Sequence, residues 1–82
     1  MNRNEFIKIL AKQRGMSRWE AYHSVNAVMD TLRLLLADGH KIEIGGFGTF
    51  EILTDLKGEH IPTFKGGRAL KRVLNVKTEE SS

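Results

Sequence analysis

The chain has 82 residues, enough for one small domain, and its modest core would gain stability from a partner. It contains no cysteine, which excludes disulfide bonds and thiolate metal sites. Thirteen Lys and Arg against ten Asp and Glu give a formal net charge of +3, a mildly basic balance that is compatible with nucleic acid as a partner. No apolar run is long enough to cross a bilayer and the N-terminus lacks a signal-peptide layout, so we expect a cytoplasmic protein without a membrane partner.

The first half of the sequence is patterned as two helices separated by a glycine. Asn2 or Asn4 can cap the first helix, and Gly15 is placed to end it. An S-x-x-E capping box begins at Ser17 and predicts a second helix over about residues 18–38. The apolar face of this helix is broader than the packing of one short helix requires. Its main positions are Ala21, Val25, Val28, Leu32 and Leu35.

A glycine-rich corner between two strand-like segments follows the helices. Alternation over Lys41–Ile44 predicts a strand with Ile42 and Ile44 pointing inward. The stretch 45–52, Gly-Gly-Phe-Gly-Thr-Phe-Glu-Ile, combines glycines that permit positive φ with two phenylalanines too large to leave in water. We interpret it as a hairpin corner that leads into a second strand.

A turn, a third strand and a final helix complete the pattern. Residues 55–58 have the composition of a turn, and residues 60–64 are patterned as a strand. Because proline cannot donate a hydrogen bond to a sheet, Pro62 should place this strand at an edge. The pair Gly66-Gly67 then opens the last helix.

The fold class that this pattern predicts is α+β: two N-terminal helices, a three-stranded antiparallel sheet and a C-terminal helix. Residues 1–75 form one body, and residues 76–82, which end in Glu-Glu-Ser-Ser, form a disordered acidic tail. Three strands and a wide apolar helix face make a poor core for a monomer, whereas two copies could cover each other's apolar surfaces. We therefore interpret the chain as an intertwined homodimer.

The sequence contains no catalytic or metal-binding pattern. His23, His40 and His60 are scattered over a helix, a turn and a strand, and no cysteine or carboxylate cluster joins them. The glycines around Phe47 match neither the dinucleotide-binding fingerprint nor a Walker loop. We predict no enzymatic activity, no metal, no cofactor and no small-molecule substrate.

Cations stand at the starts of all three predicted helices. Arg3 and Arg18 lie at the first two helix starts, and Lys65 and Arg68 bracket the third. A cation at this end opposes the helix macrodipole, but together with free N–H groups it can bind an anion such as phosphate. Solvated side chains with no ligand are the alternative explanation, and the residues alone leave both open.

Two linked motifs resemble the signatures of the HU and integration host factor family of bacterial histone-like proteins. Residues 46–51, Gly-Phe-Gly-Thr-Phe-Glu, resemble its G-F-G-T-F signature, and residues 61–71 resemble its P-x-F-K-x-G-K-x-L-K signature. Residues 1–3 and 15–18 are also similar to the family's N-terminus and helix corner. Together, these stretches and the two signatures extend the resemblance over almost the whole chain up to Asn75.

The resemblance implies a dimeric protein of the nucleoid that binds double-stranded DNA without sequence preference. The dimer would be a homodimer, with a heterodimer with an HU-type subunit as the alternative. The family's dimer core is formed by the phenylalanines that match Phe47, Phe50 and Phe64, and its phosphate contacts by basic residues matching Arg3, Arg18 and Arg68. With Val28 and Leu32 of the second helix, the predicted dimer interface is Val28, Leu32, Phe47, Phe50 and Phe64. The predicted DNA-binding residues are Arg3, Arg18, Gly46, Gly48, Lys65, Gly67, Arg68 and Lys71.

The chain departs from the family pattern between its second and third strands. Family members carry a long β-ribbon arm there, with an Arg-Asn-Pro tip whose proline wedges between base pairs. Only residues 53–60 occupy this place, and Pro62 matches a proline of the family's body. The truncated arm predicts weak DNA bending or none.

The predicted function is that of an architectural, non-sequence-specific DNA-binding protein, since we identify neither a base-reading helix nor a row of stacking aromatics. The alternative is an HU-like protein-interaction module that pairs with or modulates another DNA-associated protein without binding DNA itself. Leu53 and Leu56 would anchor such a partner, unless Leu56 packs beneath its own turn.

Overall fold

The computed structural model describes the backbone of residues 1–81 and the side chains of residues 1–76. Three helices and one three-stranded antiparallel sheet confirm the predicted α+β architecture. Within the described residues, no helix is long and apolar enough to span a membrane. The elements are α1 (Arg3–Arg14), α2 (Arg18–Ala37), β1 (Ile42–Ile44), β2 (Gly48–Thr54), β3 (His60–Gly66) and α3 (Arg68–Ser81).

Helix α1 begins and ends at the predicted signals. The Asn2 side chain accepts a hydrogen bond from the Glu5 N–H at 2.9 Å, so Asn2 rather than Asn4 is the N-cap. Gly15 ends the helix in the left-handed conformation, and its N–H donates to the carbonyl of Ala11.

Helix α2 is started by the predicted capping box. The Glu20 N–H donates to Ser17 Oγ, and the Ser17 N–H donates to Glu20 Oε1, both at 3.0 Å. The hydrogen bond from the Ser17 backbone lowers the pKa of the Glu20 carboxyl, and the hydrogen bond with the Ser17 side chain lowers it further by a smaller amount. The helix ends at Ala37, next to the predicted end at residue 38.

The chain forms two compact units, Met1–Arg33 and Leu34–Ser82. In the first unit, α1 and the first part of α2 pack around a small apolar core. Leu10, Ala11 and Met16 are partly buried against this core. Its buried members are Ile7, Ala21 and Val25.

The sheet has the order β1-β2-β3, which places β3 at an edge as Pro62 predicted. Phe50 lies opposite Ile42 on one side and opposite Phe64 on the other, so these side chains share one face. Ile42 is half-buried, and Ile44, two residues on, lies on the same face as predicted. In this chain Ile44 is 40% exposed. Its cross-strand neighbour is Gly48, which has no side chain to cover it.

A tight turn joins β2 and β3. The Asp55 carboxylate accepts hydrogen bonds from the N–H groups of Lys57 and Glu59, each at 2.9 Å. This Asx-type arrangement confirms the predicted turn and closes the hairpin directly after Thr54. The predicted acidic tail, residues 76–82, overlaps the end of α3, but Ser82 and the side chains of residues 77–82 lie outside the described residues, so its disorder stays a prediction.

Candidate nucleic-acid interface

The glycine corner is held against the start of α3 by backbone contact. The Gly67 N–H donates to the carbonyl of Phe47 at 2.8 Å, and a Cβ on Gly67 would lie 3.3 Å from the same oxygen. Gly46 has a φ of +81°, a backbone conformation that residues other than glycine rarely adopt. The corner and the first residues of α3 line one shallow hollow, and both Arg68 and Glu43 are among its lining residues.

Gly48 lies beneath this corner and is buried. A Cβ at this position would lie 2.5 Å from the carbonyl oxygen of Lys65 and 2.6 Å from Cζ of Phe64. Neither distance is compatible with a side chain, so the glycine is required by the packing of β2 on β3. The structure therefore explains Gly48 by packing, and its contact with DNA stays a prediction.

Three phenylalanines form a cluster beside the corner. The ring of Phe64 lies 5.3 Å from that of Phe47 and 4.8 Å from that of Phe50, both in tilted arrangements. Phe47 is 44% exposed and Phe64 is 41% exposed. The cluster thus has a packed inner side and an uncovered outer side within this chain.

The cations near the start of α3 differ in their surroundings. Lys65 Nζ lies 3.1 Å from Glu51 Oε1, on the polar face of the sheet. Arg68 and Lys71 are exposed, and neither takes part in an ion pair among the side chains that the structure describes. The first turn of α3 contains no acidic residue that would offset the positive charge of these cations.

The remaining predicted cations lie in the helical unit. Arg3 is exposed and donates a hydrogen bond to Asn26 Oδ1 at 3.2 Å, which ties the start of α1 to the middle of α2. Arg18 is exposed in the first turn of α2 and lines a groove with Asn4, Ile7 and Tyr22. The predicted DNA-binding residues are thus distributed over both units, with Gly46, Lys65, Gly67, Arg68 and Lys71 gathered around the corner.

An aromatic cluster on α2 is a feature that the sequence analysis missed. The ring centroids of Trp19 and His23 lie 4.3 Å apart, and those of His23 and Tyr22 lie 5.3 Å apart. Trp19 is 70% exposed and Tyr22 is 49% exposed. The i, i+4 spacing of Trp19 and His23 was the available signal.

The predicted interface residues of α2 also remain uncovered in this chain. Val28 is 53% exposed and Leu32 is half-buried.

Among the described residues, no group of His, Asp or Glu is arranged to hold a metal ion.

Comparison with known proteins gives one consistent family. The sequence model of the family described as "Bacterial DNA-binding protein" matches residues 1–57. The "SPbeta prophage-derived DNA-binding protein HU 2" of Bacillus subtilis is 34% identical over 92 residues, covering 94% of this chain and all of that protein. The DNA-binding protein HU of Staphylococcus aureus (strain COL) is 31% identical over 86 residues, covering 87% of this chain and 96% of that one.

Solved structures agree with these sequence matches. HU from Thermotoga maritima superposes with a TM-score of 0.76 at 34% identity, covering 90% of this chain and 98% of that chain. The HU of an Anabaena HU–DNA cocrystal structure superposes with a TM-score of 0.77, covering 93% and 99%; at 21% identity this match supports the fold alone. From these matches and from its own architecture, the chain belongs to the HU family of bacterial DNA-binding proteins, which are architectural proteins and not enzymes.

Proposed function

We propose that this protein is an architectural protein of the nucleoid that binds double-stranded DNA without sequence preference. The observation that carries the proposal is the exposure of Arg18, Arg68 and Lys71, which form no ion pair among the described side chains and can reach phosphates. Arg3 keeps further N–H donors beyond its bond to Asn26. Contacts to phosphate alone carry no sequence information, which supports non-specific binding.

We further propose that this protein acts as a homodimer. The outer sides of Phe47 and Phe64 are uncovered in the sheet unit, and Val28 is uncovered in the helical unit. Apolar surface of this kind is more typical of an interface than of a monomer's exterior. A heterodimer with an HU-type subunit would use the same surfaces.

Weak bending, or none, is the third part of the proposal. The hairpin between β2 and β3 closes at the Asp55 turn. This turn contains two carboxylates, Asp55 and Glu59, and one lysine, Lys57, so it is not basic. The alignment with the prophage relative extends over 92 residues, more than the 82 of this chain, so it includes residues of the relative without a counterpart here. Both observations support the loss of a DNA-gripping arm.

A protein-interaction module is the second candidate function, and one observation favours it. Leu56 is fully exposed at the hairpin turn, so packing beneath the turn does not account for it. Leu53 and Ile61 form a cross-strand pair on the polar face of the hairpin and are 46% and 43% exposed. These three side chains could anchor a protein partner.

An electrophoretic mobility shift at low salt, with the purified protein alone, separates the two candidates. Binding to unrelated duplex sequences with similar affinity supports the architectural function, and the absence of any shift supports the interaction module.

The salt dependence of the affinity identifies the contacts. Each neutralised phosphate contributes about −0.9 to the slope of log affinity against log salt, so Arg68→Ala should flatten the slope by up to roughly two units in a dimer. Arg33→Ala removes the same charge from a residue that pairs with Asp30 at 3.1 Å, and should leave the slope nearly unchanged. Equal slopes for both variants and the unmodified protein would exclude Arg68 as a phosphate contact.

A further inference from the structure

The aromatic cluster on α2, formed by Trp19, Tyr22 and His23, lies outside the buried core of the helical unit. The buried residues of that unit lie on the side of α2 that faces α1, whereas 70% of Trp19 is accessible to solvent. The ring of His23 lies between the other two rings and is close to both of them. Large exposed aromatic side chains of this kind usually mark a binding surface.

Basic residues stand at both ends of this cluster. Arg18 lies one helical turn before Tyr22 and lines the same groove. Asn26 lies one turn after Tyr22 and holds the guanidinium of Arg3. At 1.5 Å per residue, the backbone of α2 rises by roughly 12 Å from position 18 to position 26, which is the rise of three to four stacked nucleotides at ~3.4 Å each.

We propose that this surface is a base-stacking site for unpaired DNA, in which Arg18 and Arg3 bind phosphates and the rings of Trp19 and Tyr22 stack on bases. The proposal rests on the proposed function, since it uses the same two cations. Surfaces that bind single strands combine a basic track with aromatic rings on which successive bases stack.

The chemistry favours an unpaired strand over an intact duplex as the occupant. In a duplex the base faces are covered by their stacked neighbours, so an indole on a helix surface reaches only backbone and groove edges. At a gap, a flap or a single-stranded end the faces are free. A protein partner is the other possible occupant, but a guanidinium group at each end of the cluster favours an anionic strand, because guanidinium groups bind phosphates with strong hydrogen bonds.

Trp19 is the one tryptophan in the sequence, so its fluorescence reports directly on this surface. We expect a short oligothymidylate to quench the emission strongly, and an intact duplex to change it little at equal occupancy. Since stacking contributes about 1–3 kcal/mol per base, Trp19→Ala should weaken oligothymidylate binding by about 5- to 150-fold, measured by anisotropy of a labelled oligonucleotide. Its affinity for intact duplex should change less than about twofold.

Two control variants make the result specific. Trp19→Phe keeps an aromatic face and should retain most of the oligothymidylate affinity. Leu56→Ala removes a fully exposed apolar side chain from the other unit and should change neither affinity nor quenching. Circular dichroism checks that the variants fold, as the exposure of Trp19 leads us to expect.

The possible outcomes separate this inference from the proposed function. Duplex binding with unchanged emission, and equal oligothymidylate affinity for the unmodified protein and Trp19→Ala, would overturn the stacking site and leave the proposed function standing. Quenching by oligothymidylate without duplex binding would support the stacking site and contradict the proposed function. Binding of neither DNA would reject both.

Discussion

Gly45 and Gly48 belong to the same glycine corner, but their surroundings give them different roles. A Cβ at Gly45 would meet no atom within 4 Å. A Cβ at Gly48 would lie 2.5 Å from the Lys65 carbonyl oxygen, because β2 packs closely against β3 at this position. At the scale of single residues, the requirement for glycine is therefore set by the neighbouring strand.

This difference predicts the stability of two matched variants. Gly48→Ala should lower the free energy of unfolding by about 1–3 kcal/mol, because β2 and β3 must separate to admit the methyl group. Gly45→Ala should change it by less than about 0.5 kcal/mol, since open space surrounds the position. Denaturant unfolding measures both; a Gly48→Ala variant as stable as Gly45→Ala would show that the strands separate without loss.

At the scale of the element, the start of α2 depends on reciprocal hydrogen bonds between Ser17 and Glu20. They lower the pKa of the Glu20 carboxyl in the folded protein, because its ionised form is the better acceptor. A carboxyl with a lowered pKa stabilises the fold at pH values above its unfolded pKa. That contribution is lost as the pH falls through the lowered folded value.

The matched variant for this effect is Glu20→Gln, which keeps a capping-box acceptor without the titrating proton. Between about pH 7 and about pH 3, the unmodified protein should lose more stability than Glu20→Gln, as followed by denaturant midpoints at each pH. Parallel acid dependence of the two proteins would mean that the hydrogen bonds of Glu20 do not favour its ionised form.

At the scale of the whole molecule, the exposed outer side of the phenylalanine cluster supports the proposed homodimer. Phe64 contacts both Phe47 and Phe50, yet 41% of its surface is exposed in one chain. In the proposed homodimer that surface would be buried, and Phe64→Ala should lower the free energy of unfolding by about 3–5 kcal/mol. The unmodified protein should sediment as a dimer, with a melting temperature that rises with protein concentration. A folded monomer at micromolar concentration would contradict the dimer.

The short hairpin leads to a prediction about DNA shape. Bending a short duplex through a large angle costs about 1–6 kcal/mol, and the turn at Asp55 has neither the length nor the charge to offset it. We expect low energy transfer between dyes at the ends of a short duplex, nearly unchanged when the protein saturates it. DNA that is already nicked or kinked should be preferred, since less bending is required. A large rise in transfer on intact duplex would show that the body bends DNA without an arm.

Sequence signals predicted most of the fold because they act over a few residues. The cap at Asn2, the stop at Gly15, the turn at Asp55 and the edge strand marked by Pro62 are all confirmed. The orientation of Ile44 followed from the strand alternation, whereas its exposure depends on the residue across the strand. The family was recognisable from two linked motifs, since they span the corner and the start of α3.

The sequence by itself determined the helix ends, the order of the strands and the cations at the helix starts, because these follow from local hydrogen bonding and side-chain type. Only the tertiary structure decided which of those cations are available. Lys65 is paired with Glu51 across the sheet, whereas Arg68 is not paired with any described side chain. It also revealed that Trp19 is exposed and that its ring lies 4.3 Å from that of His23. Burial and pairing depend on which distant residues the fold brings together, and a pattern read along the chain contains no distances between them.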